Sequence, residues 1–169
     1  EVLNSYEPPV TSRIHAADGS LMAEYARQRR LFLPIQAVPD LVKHAVLSAE
    51  DKNFYEHPGI DFGALARAVA TNIRNAGTDR RQIGASTITQ QVAKNFLLSN
   101  ERSIDRKIKE AVLSLRIERA NSKDRILELY LNEIFLGLGA YGIAGASLTY
   151  FDKQVHELIY DIMNDKQRK

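Results

Sequence analysis

The 169-residue chain has the length of one ordinary domain, and its 44% apolar and 26% charged residues describe a globular protein, not a disordered tail. It has no cysteine, which excludes disulfides, thiolate metal sites and cysteine nucleophiles together. The formal net charge is only +2, but from Arg80 to Lys123 ten basic residues stand against four acidic ones, leaving the remainder net negative. A basic middle on an acidic frame points to an anionic partner, phosphate being the commonest, with a solvated helix face as the alternative.

No stretch approaches the roughly 18 uncharged apolar residues of a membrane span. The N-terminus lacks the basic-then-apolar pattern of a signal peptide. Glu1 to Val10, with Pro8-Pro9, reads as a linker. Arg13 to Ala17 and Ser20 to Ala26 flank Asp18-Gly19, a hairpin-type turn signal, and Leu31 to Ile35 reads as a third extended piece.

Everything afterwards reads as helix. A first helix starts near Asp40 with Val42, Ala45, Val46 and Ala49 on one stripe. Asp61 caps a second, with Phe62, Leu65, Ala66, Val69 and Ile73 inward and Gly77 closing it. Ser86 caps a third to about Leu97, Ser103 opens a long fourth to about Ala120, and Ser122 a fifth through Phe135. Gly137 and Gly139 break the chain before a sixth, Tyr141 to Phe151, and a weak seventh covers Val155 to Met163. The expectation is a mainly α domain with a small N-terminal β appendage: residues 1–36 linker and short β segment, 37–158 the domain proper, 159–169 a divergent charged tail.

Three places could carry chemistry. Glu50 continues the stripe of Val42 and Val46 and is expected to turn toward the core, at a helix C-terminus that disfavours a carboxylate. A sheltered carboxylate there is a candidate base; a surface glutamate at a frayed end is the alternative. On the fourth helix Ile104, Ile108, Ala111 and Leu115 form one apolar stripe and Leu113 with Ile117 a second. That arrangement predicts deep packing and puts Arg106 and Glu110 at least half inside, as a functional pair or simply a structural i, i+4 ion pair. Gly84 to Gln91 places Ser86, Thr87, Gln90 and Gln91 at a helix start, where hydroxyls and amides can bind phosphate or sugar, or only cap. Lys94 and Arg102 follow at a spacing that could bracket a diphosphate. His57 has no partner at metal-ligand spacing, so a hydrogen-bonding role is expected. No phosphate-binding glycine loop, zinc signature or serine elbow is present.

These stretches together resemble the peptidoglycan glycosyltransferases. Glu50-Asp51-Lys52-Asn53-Phe54-Tyr55-Glu56-His57-Pro58-Gly59 is similar to the pattern E-D-x-x-F-x-x-H-x-G, and Gly84 to Gln91 to G-x-S-T-I-T-Q-Q. Arg106 to Glu110 matches R-K-x-x-E, Lys123 to Asn132 matches K-x-x-I-L-x-x-Y-L-N, and Ala140-Tyr141-Gly142 with Tyr150-Phe151 resembles the last block. Residues Arg13 to Tyr25 look most like class A, bifunctional penicillin-binding proteins of Gram-negative bacteria. The likeness covers roughly residues 13 to 158 and then departs at Ile159 to Lys169, where the family continues into further helices and often a transpeptidase domain.

The resemblance implies a lysozyme-like, mostly α fold on the periplasmic face of the inner membrane, with the membrane anchor outside this chain. It implies polymerisation of lipid II, the growing strand on undecaprenyl diphosphate being donor and the bond inverting to β-1,4. Glu50 would be the base and Glu110 the second catalytic carboxylate, orienting the cations or holding a divalent ion such as magnesium; no cofactor is otherwise required. Lys94, Arg102, Arg106 and Lys107 would meet the diphosphate, and Ser86, Thr87, Gln90 and Gln91 the sugars and phosphate. Asp51, Phe54, His57 and Asn132 would support them from behind. The two carboxylates should stand well beyond the roughly 5–5.5 Å of a retaining glycosidase pair. Partners would be lipid II, the glycan strand, the membrane surface through an apolar flap between the second and third signatures, and a transpeptidase domain in the intact protein, with no nucleic acid. A helical module that only binds an anionic polymer, a glycan hydrolase, and a folded but inactive fragment are the competing readings.

Overall fold

A computed structural model describes residues 12–25, 31–80, 82–97 and 103–167. Arg102 and the Glu1 to Val10 linker lie outside them. The described elements are mainly helical, with one β-hairpin. Strands β1 (Ser12–His15) and β2 (Leu21–Tyr25) pair antiparallel, with a register irregularity between Ile14 and His15. The Asp18 carboxylate accepts from the Ser20 amide at 2.9 Å and from its hydroxyl at 2.6 Å, which fixes the turn and lowers the Asp18 pKa. The third extended piece ends in a single 3-10 turn, Ile35–Ala37.

Helices α1 (Asp40–Glu50), α2 (Phe62–Arg74), α3 (Ile88–Leu97), α4 (Ile104–Ala120), α5 (Lys123–Glu133), α6 (Gly142–Phe151) and α7 (Val155–Gln167) follow. They start close to where the sequence signals put them. Asp61 caps α2 by accepting from the Ala64 amide at 2.7 Å, Ser103 caps α4 through the Arg106 amide at 3.1 Å, and Ser122 accepts from the Arg125 amide at 3.2 Å before α5. The cap of α3 is Thr87, not Ser86: its hydroxyl accepts from the Gln90 amide at 3.2 Å while the Gln90 side chain accepts from the Thr87 amide at 3.1 Å. This reciprocal pair is a capping box, and it frees the Ser86 side chain for other contacts. Helix α7 runs past Met163 to Gln167.

The chain divides into two compact units, residues 42–130 and the flanking stretches up to 41 and from 131. In the central unit α3 packs on α4, and Phe54, Ile88, Val92, Ala93, Ile126, Leu127 and Leu129 form an apolar interior. In the flanking unit Asn132 clamps the N-terminal segment, accepting from the Leu33 amide at 2.7 Å and donating to its carbonyl at 2.9 Å. Gly142 (φ 71°) sits in the same unit where a Cβ would lie 2.6 Å from the Asn132 carbonyl oxygen, so only glycine fits.

Three apolar stripes do not lie where their periodicity implies. Helix α1 buries no residue, and α2 buries only Ala68, leaving Phe62, Leu65, Val69 and Ile73 exposed. On α4 Ile104 is 81% exposed and Ile108 and Val112 are also exposed, while Glu110, Ser114 and Ile117 turn inward. Amphipathic periodicity identifies an apolar face but does not identify what covers it. Polar contacts orient these helices instead: for α2, the Asp61 cap and the Asn72 side chain, which accepts from the Ile83 amide at 2.8 Å and donates to its carbonyl at 2.9 Å.

Candidate active site

All of the site described below belongs to the central unit. Glu50 is the last residue of α1 and is exposed, not turned into the core. Its Oε2 accepts from the Gln91 side-chain amide at 3.0 Å. Among the described residues its Oε1 has no hydrogen-bond partner. It lines a groove of about 240 Å³ with Ser48, Asp51, Lys52, Asp61, Arg67, Ser86 and Thr87 among its walls. Gly84 and Ala85 also line it and carry little side-chain bulk.

Behind Glu50 lies a buried polar frame. Asp51 faces His57, whose Nε2 is 2.9 and 3.1 Å from the two carboxylate oxygens. The same carboxylate accepts from the Ile88 amide at 2.9 Å, holding the first turn of α3. His57 Nδ1 in turn accepts from the Gly59 amide at 3.1 Å, so Nε2 carries the proton toward Asp51. The Thr87 hydroxyl donates to the Gly59 carbonyl at 2.6 Å. Phe54 is fully buried and stacks edge-on against His57 at 6.2 Å between ring centres. Asp51, Phe54 and His57 thus tie α1 to α3, whereas Asn132 belongs to the flanking unit and its clamp on Leu33.

A second groove, about 250 Å³, adjoins at Ser86 and is lined by Ser86, Gln90, Gln91, Lys94, Arg106, Lys107 and Glu110. Here the sequence-predicted residues of two separate stretches, 86–94 and 106–110, meet. Glu110 is 2% exposed. Its Oε1 accepts from Arg106, and its Oε2 from Lys107 Nζ at 2.9 Å. Lys107 also donates to the Ser86 hydroxyl at 2.7 Å. One carboxylate is therefore shared by two cations, which leaves local positive charge facing the groove. Arg106 retains a buried Nε–H without a hydrogen-bond partner among the described residues. Lys94 contributes a further exposed ammonium.

Both oxygens of Glu110 are occupied by cations, and no group of three His, Cys, Asp or Glu that could hold a metal exists among the described residues. The donor set does not fit a divalent ion held by the protein alone. No hydrogen bond joins Glu50 to Glu110; each is bound to other groups.

Sequence reasoning missed a buried network under the site. Glu118 accepts from the Thr89 hydroxyl at 2.5 Å and from Lys123 at 2.8 Å. Lys123 also donates to the His57 carbonyl at 2.7 Å and lies 4.4 Å from the Phe54 ring centre. Gly59 makes this possible: at φ 102° a Cβ would lie 2.9 Å from Glu118 Cγ and 3.0 Å from the Ser114 carbonyl oxygen. The signal available was the lysine and glycine at fixed places in the signatures, but neither shows its partner in one dimension. Outside this network Tyr55 donates to Asp124 at 3.0 Å, and burial followed by that carboxylate pushes its hydroxyl up to about 12.

A family model described as transglycosylase matches residues 18–162. The chain is similar to "Penicillin-binding protein 1A" of Rickettsia conorii, 56% identical over 156 residues, covering 92% of this chain and 20% of that protein. "Penicillin-binding protein 1A" of Neisseria flavescens is 51% identical over 156 residues, covering 92% of this chain and 19% of that protein. The chain thus spans about a fifth of the length of the curated relatives it matches. With its mainly helical fold and its paired grooves, the chain belongs to the transglycosylase family.

Proposed function

We propose that this chain is a peptidoglycan glycosyltransferase domain that joins lipid II units into β-1,4 glycan with inversion. The observation that carries the reading is the pair of adjoining grooves meeting at Ser86, one holding a single free carboxylate oxygen on Glu50, the other the cations Lys94, Arg106 and Lys107. A sugar with a diphosphate leaving group needs one base and much positive charge. A glycosidase instead needs an acid and a base flanking one bond.

In the reaction the acceptor GlcNAc 4-hydroxyl attacks the anomeric carbon of the growing strand from the face opposite its diphosphate. Glu50 takes the hydroxyl proton. The bond from the anomeric carbon to the phosphate oxygen breaks, and its electron pair leaves with the lipid diphosphate. Lys107 and Arg106 meet that charge as it develops, held at fixed positions by Glu110, and Lys94 adds to it. Gln91 holds one oxygen of Glu50, leaving the other for the proton. Ser86 lines both grooves and suits a sugar hydroxyl, whereas Thr87 and Gln90 are buried and occupied by the capping box, so they shape the passage instead of binding in it. Arg102 would join the diphosphate cations.

Undecaprenyl diphosphate requires access from a membrane surface, and the exposed Phe62, Leu65, Val69 and Ile73 on α2 supply an apolar face for it. No helix among the described residues is long and apolar enough to cross a membrane. The setting we propose is the periplasmic face of the inner membrane, with a transpeptidase domain in the intact protein. The experiment is incubation with labelled lipid II in detergent and, separately, with preformed glycan. A glycan ladder from lipid II without new reducing ends from preformed glycan is expected. New reducing ends alone would establish a hydrolase instead.

A further inference from the structure

The groove that holds Glu50 takes part of its wall from the start of α2, through Asp61, Ala64 and Arg67, and another part from Gly84, Ala85 and Ser86. These two stretches are fixed very differently. Helix α2 has its own backbone hydrogen bonds and the Asp61 cap. Among the described residues Gly84, Ala85 and Ser86 make no backbone hydrogen bond, and their one side-chain bond is accepted by Ser86 from the half-exposed Lys107. A glycine-bearing stretch with so few bonds keeps one shape only if its ends are held. The Thr87 capping box holds one end. Asn72 of α2 holds the other at Ile83, accepting from its amide at 2.8 Å and donating to its carbonyl at 2.9 Å. Two bonds to one residue fix its orientation as well as its place, as a neighbouring strand would. Both bonds are exposed and add little to global stability, yet they join two walls of one groove.

We propose that Asn72 is a positioning residue for the groove of Glu50: it fastens the 84–86 wall to α2 and so sets the width that the substrate meets, which rests on the reading of this groove as part of the lipid II site. Through Ser86 the same clamp steadies the Lys107 ammonium where the second groove begins. A wall already in place spares the substrate the cost of ordering it on binding. Loss of the clamp therefore falls on KM more than on the chemical step at Glu50.

The test is Asn72→Ala in the full-length protein that carries this chain, read as KM for lipid II, kcat, melting temperature and peptide-resolved amide exchange. The expected result is a KM raised about five- to tenfold, with kcat within about threefold of wild type. The melting temperature should stay within about 3 °C. Amide exchange at residues 82–86 should speed up by at least about tenfold while α4 keeps its protection. Asn72→Asp keeps an acceptor for the Ile83 amide and should fall between wild type and Asn72→Ala in both KM and exchange. A wild-type KM together with faster exchange at 82–86 would overturn the proposal, since the wall would then be loose without consequence. Unchanged exchange would overturn it as well, because something other than Asn72 would hold the wall. A drop in melting temperature beyond about 5 °C with protection lost across α4 would make Asn72 a structural residue and overturn it too. Lys107→Ala separates the two ways of failing. If Lys107→Ala and Asn72→Ala both keep wild-type kinetics, the grooves are not the lipid II site; if only Asn72→Ala does, the site stands and the clamp alone has failed.

Discussion

Lys107 on α4 donates to the Ser86 hydroxyl just ahead of α3 at 2.7 Å, and this contact joins the groove of Glu50 to the groove of the cations. The same ammonium reaches Glu110 at 2.9 Å. Lys107 is half exposed, so its pairing contributes little to stability, and the role proposed for it is to place charge. Lys107→Ala should lower kcat/KM for lipid II by at least about tenfold, while shifting the unfolding free energy by less than about 1 kcal/mol. Steady-state polymerisation and urea unfolding of the same preparation check both halves.

Glu110 behaves differently because it is buried. Removing it leaves the Arg106 guanidinium, itself mostly buried, without its counter-charge. Glu110→Ala should therefore destabilise the fold by about 3–5 kcal/mol as well as abolish turnover. Denaturant unfolding measures the first effect independently of activity.

The sequence made the elements legible, and with them several of the residues that line the two grooves, because both depend on local chemistry. Asp61, Ser103 and Ser122 announce helix starts, and Glu50, Gln91, Arg106, Lys107 and Glu110 stand in signatures whose spacing brings them to two adjoining grooves. Burial was legible only in part: Arg106, Glu110 and Ile117 lie inside as expected. Ile104 and Ile108 have the spacing of a core stripe, yet α4 turns Glu110, Ser114 and Ile117 inward, where the polar groups find partners. The long-range bonds of Glu118 and Lys123 were hidden for the same reason: whether a polar side chain is satisfied inside depends on residues distant in sequence. The Thr87 capping box shows a smaller version, one residue along from the serine that pattern alone favours.

Asp51 joins His57 to the Ile88 amide, so it acts as the hinge pin between α1 and α3. Asp51→Ala would leave a buried imidazole N–H and a helix-start amide without acceptors. The expected cost is about 2–4 kcal/mol, with loss of activity following from loss of the α3 position. Thermal unfolding followed by circular dichroism checks it, and Asp51→Asn, which keeps an acceptor, should cost less.

Gly59 is irreplaceable on steric grounds. A methyl group would meet Glu118 Cγ at 2.9 Å and the Ser114 carbonyl oxygen at 3.0 Å, at a φ of 102° that side chains rarely adopt. Gly59→Ala should lower stability by about 2–4 kcal/mol. Unfolding within about 0.5 kcal/mol of wild type would contradict this packing.

Asp61 gives the fold a defined acid sensitivity. Its pKa is lowered, chiefly by the Ala64 amide that it caps and further by the Asn53 side chain, against a smaller opposing effect of burial. A carboxylate depressed in the folded state contributes stability that is full above its unfolded value of about 3.9. That contribution is lost as the pH falls through the folded value. Asp61→Asn keeps a capping oxygen and should be within about 1 kcal/mol of wild type at neutral pH, while showing a smaller loss of stability between about pH 4 and pH 2. Unfolding free energies across that range test the sign.

Everything proposed for the reaction turns on Glu50 acting as its base. The most direct test of that role is Glu50→Gln, which keeps size and hydrogen bonding but cannot take a proton. Lipid II binding and single-turnover bond formation should be measured on the same protein. Binding should stay within about threefold of wild type, and bond formation should be slower by at least about a hundredfold. Polymerisation by Glu50→Gln within a few-fold of wild type would contradict that expectation and move the proton-accepting role away from this residue.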